Sequence, residues 1–150
     1  MDLSSLFKAE RDTERAMSQE NVELVVSLYD AVQRQDYESP FEVIDEDIVW
    51  DMSGFALPDM ARLYRGHDGI REFWSKWLAA WETIEYKALA AEDHGDQVIV
   101  EVEQRNRGRA SGVAVDFHYF QVSTVRNGKV IASCMAETRA KALEAAGLSE

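Results

Sequence analysis

One cysteine, two prolines and no long apolar run set the first limits on this chain of 150 residues. Cys134 alone can form neither an internal disulfide nor a four-cysteine zinc site. No stretch reaches the roughly 18 apolar residues that a membrane span needs, and the N-terminus has no signal-peptide pattern. Positive charge is scarce: 16 Lys and Arg stand against 28 Asp and Glu, for a net charge of −12. That excess repels nucleic acid and anionic lipid, and the densest basic cluster, Arg105, Arg107 and Arg109, is too small for duplex binding. His67, His94 and His118 are not at ligand spacing and no His-Glu-x-x-His pattern occurs, so no metal is expected. Without a Gly-x-Gly-x-x-Gly or glycine-rich phosphate loop, no cofactor is expected either. These absences describe a soluble, cytoplasmic protein with no nucleic-acid or membrane partner.

What is present is an ordinary globular balance, 46% hydrophobic and 29% charged. A single domain of this length buries roughly 68–70% of its unfolded surface. Residues 1–16 are polar and read as a loosely attached extension, with the domain proper over 17–150. From Gln19 to Gln35, Val22, Val25, Val26, Leu28, Tyr29 and Val32 recur at helical spacing. A short helix is expected after Asp36, with Pro40 in its first turn. Ile48, Trp50 and Met52 alternate as in a strand, and 54–66 reads as a long loop.

Asp68 to Trp81 is the clearest helix, carrying Ile70, Phe73, Trp74, Trp77, Leu78 and Trp81 on one face, with Asp68 placed to cap it. The period then changes from 3.6 to 2. Val98, Val100 and Val102 alternate with charged neighbours, and Val113 to Phe120 alternates again. Asn127-Gly128 marks a hairpin. Val130 to Glu137 is the last strand, and Arg139 to Ala146 a closing helix ended by Gly147. Two helices, a strand, a loop, a helix and four strands make an α+β domain with helices on one face of an antiparallel sheet.

Several runs resemble a known family. Met17-Ser-Gln-Glu-Asn-Val-Glu-Leu-Val, Asp47-Ile-Val-Trp, Tyr64-Arg-Gly-His-Asp-Gly-Ile-Arg-Glu-Phe-Trp and Thr124-Val-Arg-Asn-Gly-Lys-Val, with Gly108 to Gly112, are similar to the SnoaL-like branch of the nuclear-transport-factor-2-like fold. The resemblance covers Met17 to Leu148. It implies a cone: a strongly curved, mixed antiparallel sheet wrapped around three helices, with a pocket at one end. Relatives include ketosteroid isomerase, polyketide cyclases, limonene-epoxide hydrolase and scytalone dehydratase, so the fold does not specify the chemistry.

The isomerase pattern does not carry over. Its base position falls on Met52, its first-helix tyrosine near Leu28 beside Tyr29, its supporting tyrosine on Trp74 and its oxyanion acid on Phe120. No Asp-Arg-Asp set suits the epoxide hydrolase either. The late-strand aspartate of the cyclases has one counterpart of that type, Asp116.

Asp116 and His118 share a strand face, where a carboxylate can prepare an imidazole as general base. They are the catalytic candidates, against the alternative of an ion pair at the barrel mouth. Two registers are open: one leaves Asp116 and His118 in solvent, and the other, favoured because the run is so apolar, faces them and Phe120 inward and turns Val113, Val115, Phe117 and Tyr119 outward. That apolar set then implies a homodimer through the outer sheet face. Trp50, Met52, Phe73, Trp74, Trp77, Phe120 and Met135 are candidate walls of a pocket for a small hydrophobic ligand, or plain core. Glu137 would sit at its rim. His67 reads as a helix-start residue, His94 as a solvated turn and Cys134 as a small hydrophobe. Two functions stay open: an isomerase, cyclase or hydrolase acting on a small hydrophobic metabolite, or a non-catalytic binding or accessory dimer.

Overall fold

The apolar stripe around Val25 closes into one long helix, α1 (Leu3–Gln33), capped by the Asp2 side chain, which accepts from the Ser4 amide at 3.0 Å. The computed structural model describes residues 2–55 and 60–148. Residues 3–17 of α1 are exposed, Leu3 and Phe7 among them, so the stretch read as an extension is helical and continuous with the domain's first helix. Burial starts where the stripe does, at Val25 and Ala31. The Asn21 side chain donates to the Gly95 carbonyl (3.1 Å) and Gln33 accepts from the Tyr86 amide (2.7 Å), tying both halves of that buried segment to the sheet.

The short helix expected next is a single 3₁₀ turn, Ser39–Glu42, opened by Pro40. Strand β1 (Ile44–Asp51) follows, then a 3₁₀ turn at Ser53–Phe55. Within the expected loop, residues 56–59, Pro58 included, lie outside the described residues, while β2 (Leu63–Arg65) pairs antiparallel to β1. Helix α2 (Gly66–Ala80) starts on Gly66 at φ 69°, where an added Cβ would come within 3.0 Å of the Glu46 carbonyl oxygen. Asp68 lies in its first turn but makes no side-chain cap. His67 is structural, its Nε2 2.7 Å from the Ile44 carbonyl and its ring against Phe41.

Four strands complete the sheet: β3 (Trp81–His94), β4 (Gln97–Gly108), β5 (Ala114–Arg126) and β6 (Lys129–Ala136). Asn127 and Gly128 both take positive φ, as a tight hairpin between β5 and β6 requires. Helix α3 (Arg139–Ala145) is capped by Thr138, which accepts from the Lys141 amide, and ends before Gly147 at φ 75°.

The strand order is β2-β1-β6-β5-β4-β3, antiparallel except for the parallel β1–β6 pair. This corrects the expected cone. The sheet is open, with β2 and β3 as edges at opposite ends of the order, and it does not wrap strongly around the helices. The closing helix stands apart from the other two. α1 and α2 pack on the inner face, around Val25, Ile70, Val98, Val100 and Val102, whereas α3 packs on the outer face. The reason lies in the central strands, which are apolar on both sides. Ile99, Phe120, Val122 and Ala136 point outward and would be left wet without Ala142 and Leu143 of α3 over them.

Candidate functional site

Between the inner face and α1 and α2 lies a cavity enclosing about 780 Å³ of atom-free space, including the part open to solvent. One side is an aromatic and sulfur wall. Trp50 lies over Phe73 (centroids 5.3 Å), Phe73 stacks on Trp77 (6.0 Å), and Trp77 meets Phe117 (5.8 Å). Met52 accepts from the Trp50 indole at 2.8 Å, and Met135 closes the wall from β6. Trp74 touches the cavity while its ring packs edge-on to Tyr37 and Phe41.

The polar part of the lining is uncharged. Tyr29 on α1 donates to Gln121 Oε1, and Gln121 Nε2 donates to Ser133 Oγ at 2.8 Å, with Ser123 Oγ 3.4 Å from Ser133 Oγ. Tyr119 donates to Gln104 Oε1 at 2.9 Å, and Gln104 Nε2 donates to Asn106 Oδ1 at 3.1 Å. Tyr86 on β3 completes the set, hydrogen-bonded to Trp77 and Tyr37. Burial first, and neighbouring phenols second, push the hydroxyls of Tyr29, Tyr86 and Tyr119 well above the ordinary tyrosine range. They are neutral at any physiological pH. Among the described residues that line the cavity there is no carboxylate, imidazole or thiol.

Those phenols make a testable pH signature. An unfolded tyrosine ionises near pH 10, whereas these three stay protonated above it. Above that pH the unfolded state therefore binds fewer protons, and stability falls as pH rises. Absorbance titration of the folded protein should leave these three of its five tyrosines un-ionised until the chain unfolds. Five tyrosines titrating together near pH 10 with the fold intact would contradict this.

The candidates from the sequence divide cleanly. Trp50, Met52, Phe73, Trp74, Trp77 and Met135 line the cavity. Asp116, His118 and Phe120 do not, because β5 turns inward the face opposite to the one expected, and Glu137 does not because β6 ends at Ala136, before it. Asp116 is 70% exposed on the outer face, 3.5 Å from Arg105, and His118 is 53% exposed with Nε2 2.7 Å from Glu101. Phe120 belongs to the core under α3, and Glu137 pairs on the surface with Lys141 at 3.6 Å.

The same reversal removes the patterning argument for a dimer. Phe117 and Tyr119 point into the cavity, while this part of the outer face carries charged side chains. Cys134 is half-buried, and burial raises its thiol pKa, which suits packing rather than nucleophilic chemistry.

Sequence reasoning missed Tyr29 as a cavity residue, together with Tyr86, Gln104, Tyr119, Gln121 and Ser123. The usable signal was the charge alternation on β4, where Glu101, Glu103, Arg105 and Arg107 mark one face and leave Gln104 and Asn106 on the other. No group of three His, Cys, Asp or Glu among the described residues could hold a metal, and no helix there is long and apolar enough to cross a membrane.

Residues 25–133 match the family model of the SnoaL-like domain. Several solved structures are similar. Bal32a, from a soil-derived mobile gene cassette, is 20% identical with a TM-score of 0.73, covering 86% of this chain and 97% of that one. TerC, co-crystallised with polyporic acid, is 18% identical with a TM-score of 0.71, covering 83% and 96%. An NTF2-like protein of unknown function from Burkholderia pseudomallei K96243 is 17% identical with a TM-score of 0.71, covering 83% and 95%. At such identities the likeness is one of fold. No curated protein matches the chain.

Proposed function

Since this chain belongs to the SnoaL-like family of the NTF2-like superfamily, we propose that it binds a small, flat, hydrophobic molecule in the cavity beneath α1 and α2. The observation that carries this reading is one cavity lined by both aromatic rings and neutral polar groups. Trp50, Phe73, Trp77 and Phe117 offer aromatic faces, and Tyr29, Tyr119, Gln104 and Gln121 offer neutral polar atoms beside them. A planar ring system buries its faces against the first group while an oxygen or nitrogen substituent meets the second. The co-crystallisation of TerC with polyporic acid supports a small organic ligand in a fold of this kind.

Binding without acid–base chemistry is the better-supported form of the proposal. General acid–base catalysis needs a group whose pKa lies near the working pH, and phenols pushed far above 10 are poor candidates. A buried neutral phenol orients a ligand oxygen without exchanging a proton with it.

The test uses the protein's own fluorophores. Three of its four tryptophans, Trp50, Trp74 and Trp77, line the cavity. Titration with naphthol should change their emission saturably, with a Kd below about 1 mM. An emission that changes only linearly with added naphthol, as collisional quenching does, would overturn the proposal.

A further inference from the structure

Strand pairing arranges the outer-face side chains of β3, β4 and β5 in rows. Glu85, Arg105 and Asp116 form one row, and Lys87, Glu103 and His118 the next. Outside the first lie Thr83, Arg107 and Ala114, and outside the second Ala90, Glu101 and Phe120. All are exposed except Glu101, which is half-buried, and Phe120, which lies under α3. Across the strands the signs alternate, as favourable cross-strand pairs do. Along β4 they do not. Glu101 and Glu103 are both acidic, and Arg105 and Arg107 both basic. That order is antisymmetric about the line between the two central rows. Glu85 and Lys87 on β3, and Asp116 and His118 on β5, reverse about the same line.

Antisymmetry of this kind is what a surface needs in order to recognise itself. We infer that this face is an interface with a second copy of the chain, related by a two-fold axis that crosses the strands between the central rows. A two-fold contact lays the same patch against itself. Arg105 then meets the partner's Glu103, Arg107 the partner's Glu101, Glu85 the partner's Lys87, and Asp116 the partner's His118. The uncharged Thr83 and Ala114 meet the partner's Ala90 and the partner's Phe120. Packed sheets stand about 10 Å apart, a gap that long basic and acidic side chains reaching from both sides can close. Two copies at −12 repel over most of their surfaces, but Glu85, Lys87, Glu101, Glu103, Arg105, Arg107 and Asp116 together carry only −1. Charge order carries this interface, where apolar patterning does not. A small ionic patch makes a weak, salt-sensitive dimer.

Sedimentation equilibrium of the full chain tests this. Wild type should self-associate at about 50 mM salt, and about 0.5 M salt should weaken the dimer about tenfold or more. Arg105→Glu sets acid against the partner's Glu103, and Glu103→Arg sets base against the partner's Arg105. Either variant alone should lose about tenfold or more in dimer affinity. Mixed in equal amounts they should associate again, because one chain then brings acid and the other base at both central positions. Recovery on mixing separates a charge clash from a damaged fold. A wild type that stays monomeric up to about 1 mM at low salt would overturn the inference. So would a dimer that neither reversal weakens, or a mixture of the two variants that stays monomeric.

Discussion

Trp74→Ala is expected to lower folding stability by about 3–5 kcal/mol. The indole of Trp74 is 9% exposed and is gripped by Tyr37 at 5.1 Å and Phe41 at 5.4 Å, both edge-on. Those two rings belong to the segment between α1 and β1, so Trp74 fastens that segment to α2. Truncation removes a large buried area and leaves a void that rigid neighbours cannot fill. Urea unfolding should show a lower midpoint with an unchanged slope, since a surface of similar size is still exposed on unfolding. Trp74→Phe, which keeps an aromatic ring in place, should cost much less. A loss below about 1 kcal/mol for the alanine variant would mean that Trp74 is only cavity lining and holds no core together.

Gln121→Leu is the second large effect, and its origin is polar. The shape of the side chain is nearly kept, but the Tyr29 hydroxyl loses its acceptor and Ser133 loses its donor. Gln121 is 7% exposed and Ser133 4%, so water replaces these partners poorly. With about 1–3 kcal/mol for the orphaned Tyr29 hydroxyl and about 1 kcal/mol for Ser133, which keeps Ser123 as a partner, a loss of about 2–4 kcal/mol is expected. Adding Tyr29→Phe to Gln121→Leu should recover about 1 kcal/mol, because a phenyl ring has no hydroxyl left to satisfy. Purely additive losses in that cycle would show that the two residues do not communicate through the hydrogen bond.

The elements themselves were largely readable. The stripe around Val25, the Trp-rich face of α2 and the Asn127-Gly128 turn are local signals, and each appears where its period or turn chemistry puts it. The open sheet and the placement of α3 were not local. Nothing in Arg139 to Ala145 says which face of the sheet it covers; that depends on Ile99, Phe120, Val122 and Ala136 being apolar on the outer side. The same two-sidedness defeated the register of β5. Phe117 and Tyr119 on one face and Phe120 and Val122 on the other cannot be ranked by counting apolar residues.

The deciding information was across the strands. Arg105 opposes Asp116 and Glu103 opposes His118, so a charged stripe on β4 meets a charged stripe on β5. That pairing sets Asp116 and His118 outside and turns Tyr119 and Gln121 in. Tyr29 was visible as a member of the α1 stripe, but a stripe position does not tell packing from lining. Uncharged amides such as Gln104 and Gln121 gave no signal of their own until their neighbours fixed the face.

One calorimetric comparison tests the central claim, that the ligand site is the inner cavity and not the charged outer face. Naphthol is titrated into wild type, Tyr29→Phe, Asp116→Asn and His118→Gln. Tyr29→Phe should weaken binding by about tenfold, the worth of one buried hydrogen bond. Asp116→Asn and His118→Gln, on exposed ion pairs of the opposite face, should leave the affinity unchanged. Affinity lost in the two outer-face variants and kept in Tyr29→Phe would contradict the account.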